Sequence, residues 1–203
     1  MRAAMAIILA VIWASPAMSA CRQALALGLD VSGSVDTQEY RLQLDGLAGA
    51  LLRPEVQAAF LALPGTPVRL HVYEWSGLGS QRTLVPWTEI NSAQDLQNTA
   101  STLATTPRVV SEPPTAIGQA MLSGARRLAQ QPDCWRRTLD LSGDGRSNTG
   151  LRPRDLKDDP RLGDITINGL VIGSDVNGQA DRRQAEKTVA KTLYTPALLV
   201  HSQ

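Results

Sequence analysis

Three short segments of this 203-residue chain carry oxygen-bearing side chains at spacings that could do chemistry. Asp30-Val31-Ser32-Gly33-Ser34 places three of them at alternate positions, Thr115 follows Pro113-Pro114, and Asp144 sits inside Ser142-Gly143-Asp144-Gly145. In a tight turn alternate side chains converge on one point, and Gly33 is expected to permit an unusual backbone angle there. Each segment alone has an ordinary explanation as well. Ser, Asp and Gly crowd into turns for local hydrogen-bonding reasons, and Thr115 reads equally as a helix N-cap. The joint arrangement matters more than any one segment, because all three are expected at the same edge of one sheet.

The elements that would position them follow from hydrophobic patterning. Residues 24–29 form a short apolar run ending at Asp30 and read as a buried strand. From Asp36 a helix is expected, with Tyr40, Leu44, Leu47 and Leu51 on one face. Pro54 breaks it, residues 55–63 suggest another short helix, and residues 68–75 alternate as a second strand. Residues 83–85 suggest a short third strand stopped by Pro86, and Asn91-Ser92 caps a helix towards Leu103. Residues 105–114 form a Pro-rich loop that delivers Thr115 to the start of a helix reaching Arg127 or Leu128. Further strands are expected at 137–141, 165–172 and 197–200, with a polar helix near 180–190. Strands alternating with helices predict an α/β fold: a mainly parallel, doubly wound sheet with helices on both faces. In such sheets ligands sit beyond the carboxyl ends of the strands, where the three oxygen-rich loops lie.

Taken together, DxSxS, a later Thr and a strand-end Asp resemble the metal-ion-dependent adhesion site (MIDAS) of the von Willebrand factor type A family. The resemblance spans most of the chain and is strongest to a bacterial exported group, through DVSGSVD, EWSG, PPTAIGQA and LSGDGRSNTG. It implies a Rossmann-like fold and a metal held by the hydroxyls of Ser32, Ser34 and Thr115. Asp30 and Asp144 would support the ion directly or through water. Oxygen donors without His or Cys suit Mg²⁺ (or Mn²⁺), which takes about six oxygens near 2.0 to 2.1 Å, and disfavour zinc. Family behaviour implies that the Asp or Glu of an unknown partner protein completes the coordination. Against this stand two alternatives: a haloacid-dehalogenase-like phosphatase using Asp30 as nucleophile, and a metal-free scaffold. The phosphatase lacks its second acid, since Ser32 occupies that position.

Arg2 precedes the twelve apolar residues 3–14, which run into Ser15 and Pro16, the layout of a signal peptide over residues 1–20. Twelve residues rise about 18 Å as a helix, short of a bilayer core of about 30 Å, so no transmembrane segment is expected. Residues 21–203 would then be one domain, periplasmic or secreted. Cys21 lies close to the expected cleavage point, where Met18-Ser19-Ala20-Cys21 loosely matches a lipobox, so a lipid-anchored protein is the alternative. In the sheet that the resemblance implies, the strands bearing Asp30 and Asp144 are parallel neighbours. Cys21 and Cys134 precede them by nine and ten residues, so a Cys21–Cys134 disulfide is expected in preference to lipidation.

The 20 Lys and Arg against 19 Asp and Glu give a formal charge of +1, too balanced for a dedicated nucleic-acid binder. His71 and His201 have no second ligand at metal spacing and read as structural or solvated, and Arg126-Arg127 reads as a solvated helix edge. The chain stops at Gln203, soon after the last expected strand, where the resemblance leads one to expect a further covering helix.

Overall fold

The computed structural model describes residues 20–143 and 146–171, with only the backbone of Val171. The expected leader, the helix near 180–190 and the strand at 197–200 lie outside the described residues. Five strands form one sheet in the order β3-β2-β1-β4-β5, comprising β1 (Gln23–Asp30), β2 (Val68–Trp75), β3 (Gln81–Ile90), β4 (Arg137–Gly143) and β5 (Thr166–Val171). All neighbours pair in parallel except β2 with β3. The chain first builds outward from β1 through β2 to β3, then crosses back to place β4 on the other side of β1. That reversal puts a crevice at the carboxyl end of β1, where open α/β sheets bind ligands.

Helix α1 (Thr37–Leu51) begins at an Asp36 N-cap whose side chain accepts from the Glu39 amide while Glu39 reaches back to the Asp36 amide. Its Tyr40, Leu44, Leu47 and Leu51 bury against Leu25, Leu27 and Leu29 of β1. Pro54 opens α2 (Pro54–Phe60) at its first turn, where a missing N–H costs nothing. Helix α3 (Ala93–Thr105) starts at a Ser92–Asp95 capping box and covers the same face as α1. On the other face, α4 (Ile117–Leu128) packs Ala120 and Leu128 against Ala24, Ala26, Tyr73, Trp75, Leu139 and Leu141. Among the described residues no helix is long and apolar enough to cross a membrane.

Three sequence expectations need correction. Strand β3 continues through Pro86 to Ile90, because it is the sheet's edge and the register slips there, with Val85 opposite Val72 and Thr88 opposite Leu70. Helix α4 starts at Ile117, with Ala116 rather than Thr115 as its N-cap. Arg127 is not a solvated edge: its guanidinium lies 4.4 Å from the Tyr73 ring centroid, and its Nε donates to His71 Nε2 at 3.0 Å.

Cys21 and Cys134 face each other across an isolated parallel bridge just before β1 and β4, and they form a disulfide with a Cα separation of 4.3 Å. The bond closes a loop spanning 113 positions of sequence. Long closed loops restrict the unfolded chain most, with stabilisation of about 2–4 kcal/mol typical. The paired substitutions Cys21→Ser and Cys134→Ser should therefore lower unfolding free energy by about 2–4 kcal/mol in urea titrations.

His71 is buried on β2 between Tyr73 and Trp87, and burial, aided by the Arg127 charge, lowers its pKa to about 4. An imidazolium there would turn a second N–H towards Arg127. The unfolded chain, with an ordinary pKa of about 6.5, binds that proton more readily, so stability is full above this value and falls as pH drops to about 4. The loss should be on the order of 1–3 kcal/mol. In thermal melts at pH 7 and pH 4, His71→Leu should be less acid-sensitive than the parent by that amount.

Candidate functional site

The loop after β1 turns back on itself through one carboxylate. The Ser32 amide donates to Asp30 Oδ1 at 2.8 Å, and the Val31 amide donates to the Trp75 carbonyl at 2.9 Å. Asp30 and Ser32 have no exposed surface, whereas Gly33 and Ser34 face solvent. Gly33 does not have the expected unusual backbone angle. Among the described residues positive φ occurs only at Gly65, Gly150 and Gly163. Gly33 instead packs closely, since a methyl group there would lie 3.2 Å from Pro113 atoms, a tight contact, while its amide donates to the Pro113 carbonyl at 2.9 Å.

That contact brings in Thr115. Its hydroxyl donates to Ser32 Oγ at 3.1 Å, and Ser32 Oγ lies 3.2 Å from Ser34 Oγ. Because Ala116 is the cap of α4, the Thr115 hydroxyl is not spent on the helix terminus. Asn148 Oδ1 accepts from the Thr115 amide at 2.9 Å, and the Asn148 amide donates to the Thr115 carbonyl at 3.0 Å. The Ala116 amide is held by the Ser76 carbonyl at 2.9 Å. Four of the five expected site residues, Asp30, Ser32, Ser34 and Thr115, are thus assembled in one place. Asp144 lies outside the described residues. Gly143, one residue before it, abuts the site: a methyl group there would lie 2.9 Å from Asp30 Oδ2.

Three hydroxyl oxygens facing one another are a donor set of the kind that hard divalent cations take. On an octahedral ion with bonds of about 2.0–2.1 Å, adjacent oxygens lie about 2.8–3.0 Å apart, against about 3.3–3.7 Å for the longer bonds of Ca²⁺. The separations of 3.1 and 3.2 Å fall between the two sets, and both are hydrogen-bond distances. Among the described residues no group of three His, Cys, Asp or Glu side chains could hold a metal, so an ion here would depend on hydroxyls.

A second network, which sequence patterning missed, fixes the loop that carries Thr115. Glu74 is buried at the end of β2, where Tyr40 donates to its Oε1 at 2.6 Å and Arg82 donates to both oxygens at 2.8 and 3.2 Å. Burial, followed by the Glu74 hydrogen bond, raises the Tyr40 pKa, so the phenol stays a donor. Arg82 also donates to the Pro107 carbonyl, which lies 3.3 Å from the Tyr40 hydroxyl, Arg108 donates to that of Val35, and Ser111 to that of Val31. An acid at the end of a strand, two residues after the alternation of Arg69 and His71 gives way to Val72 and Tyr73, was the available signal. Gln43, whose amide donates to the Asp30 carbonyl at 3.2 Å, was legible as the residue beside the buried stripe of α1.

With this geometry in view, the fold is that of a von Willebrand factor A-like protein, as comparison with solved structures shows. Proximal thread matrix protein 1 from the mussel byssus matches with a TM-score of 0.59 and 13% identity, over 85% of this chain and 47% of that one. A form of it with a zinc-occupied MIDAS motif matches with a TM-score of 0.57 and 14% identity, over 85% of this chain and 47% of that one. Manganese-loaded TRAP of Plasmodium vivax matches with a TM-score of 0.50 and 15% identity, over 82% of this chain and 63% of that one. This chain therefore spans about half the length of the mussel protein. No curated protein matches it significantly. The family described as "Protein of unknown function (DUF1194)" matches residues 20–194, and the chain belongs to that family.

Removing the guanidinium from the buried Glu74 leaves an acid paired only with a phenol. Arg82→Met should cost about 1–3 kcal/mol in urea unfolding at neutral pH, and adding Glu74→Leu should restore part of that loss.

Proposed function

We propose that this protein is an exported protein-binding module whose partner contact is bridged by a divalent ion. Ser32, Ser34 and Thr115 would hold Mg²⁺ or Mn²⁺ through their hydroxyls, with Asp30 and Asp144 supporting it directly or through water. The observation that carries this reading is the triad of hydroxyl oxygens at 3.1 and 3.2 Å, with Ser34 open to solvent. Neutral hydroxyls leave the ion's charge largely intact, so an open position favours a carboxylate, here an Asp or Glu of the partner. The zinc and manganese forms of the compared proteins support a divalent ion as the ligand class.

The disulfide supports an oxidising compartment, periplasmic or secreted, and it commits the Cys21 sulfur that a lipid anchor would need. Asp30 has no exposed surface and its Oδ1 accepts from the Ser32 amide, which leaves the phosphatase reading without support.

Titration calorimetry with Mg²⁺, Mn²⁺ and Zn²⁺ tests the proposal. The parent should bind Mg²⁺ or Mn²⁺, and Thr115→Ala or Ser32→Ala should weaken that binding at least about tenfold, the loss of one oxygen ligand. Absence of any heat or melting shift with all three ions would instead support the metal-free scaffold.

A further inference from the structure

Of the seven exposed large hydrophobic side chains among the described residues, four lie on the segments that bracket the candidate site. Val110 is 98% exposed and Val109 50%, on the loop whose Ser111 hydroxyl donates to the Val31 carbonyl. Leu78, on the Gly77–Gly79 turn that Glu112 lies against, is 53% exposed, and Leu151 is 45% exposed. A methyl group at Gly150 would lie 2.7 Å from Leu78 Cδ2, and one at Gly118 would lie 2.1 Å from the Leu151 carbonyl oxygen, so this pair stands beside the start of α4. Thr115 itself is held by Asn148, two residues before Gly150. Exposed aliphatic side chains gathered around a polar centre mark an interaction surface.

Two further features narrow what fits. A cavity of about 100 Å³ lies between Val31 and the Val109–Val110 segment, and Gln81, which lines it, has both amide atoms buried without a protein partner. One flanking residue of an incoming chain can enter there and offer a main-chain donor and acceptor. Glu112 lies over the Gly77–Gly79 turn, its Oε2 only 1.9 Å from where a Gly77 methyl would be. Its negative charge at the rim opposes a second acid.

We propose that Leu78, Val109, Val110 and Leu151 form an apolar rim that receives aliphatic or aromatic residues flanking a single Asp or Glu on an exposed partner segment. The inference rests on the metal-bridged reading and adds to it the neighbours of the acid. The carboxylate meets the ion at the centre while its neighbours desolvate the rim, which strengthens the ionic contact they enclose.

The test is selection of displayed random heptapeptides on the immobilised protein in Mg²⁺ with elution by EDTA. Expected are sequences with one acid next to aliphatic or aromatic residues. Val110→Ser and Leu78→Ser should each weaken a synthetic copy of the selected peptide about tenfold, with Mg²⁺ affinity by calorimetry unchanged. Selected peptides whose acid lies among polar residues or in acidic runs would overturn the rim and leave metal bridging intact. The same holds if both rim variants bind the peptide like the parent. Failure to recover any EDTA-released peptide from protein that binds Mg²⁺ would overturn both.

Discussion

The Gly33 amide and the Pro113 carbonyl join the first loop of the sheet to the loop entering α4, and the candidate site depends on that junction. It brings together Ser32 and Thr115, 83 residues apart, with the Ser111–Val31 and Ala116–Ser76 hydrogen bonds alongside it. Residue 33 lies close against Pro113, where a methyl group would be 3.2 Å away. The backbone therefore carries the assembly, and the hydroxyls are free to face one another rather than cap a helix.

The junction is held from two sides. From below, β1 and β4 run in parallel register, with Leu29 opposite Ser142, so that Gly143 arrives against the Asp30 carboxylate. The disulfide just before both strands secures the far end of the same pair. From the side, Arg82, anchored on Glu74 beside Tyr40, holds the loop through the Pro107 carbonyl. A buried carboxylate is costly unless each oxygen is met, and here both oxygens are. The benefit lies in placement, since Arg82 also reaches the Pro107 carbonyl and positions the loop that ends in Thr115.

Polarity is distributed accordingly. The faces of the sheet are covered by aliphatic and aromatic side chains, while the carboxyl ends of the central strands carry hydroxyls and two buried acids, Asp30 and Glu74, with exposed valines and leucines on the loops nearby. That contrast sets the site apart from the common α/β framework that carries it, and it is the surface on which the proposed function rests.

Local patterning in the sequence determined the alternation of strands and helices, the α1 stripe of Tyr40, Leu44, Leu47 and Leu51, the Asp36 cap and the DxSxS turn, because period and capping act within a few residues. It misplaced the start of α4 and the end of β3, where Ala116 takes the cap and an edge strand tolerates Pro86. It was also silent on Glu74 as an anchor and on the close packing of Gly33. The Cys21–Cys134 disulfide and the approach of Thr115 to Ser32 were expected only through the family resemblance, and the tertiary structure alone decided that Arg127 lies on Tyr73 and that Gly33 meets Pro113. Those outcomes depend on strand order and register, which bring together residues too far apart in the chain for local preference to specify.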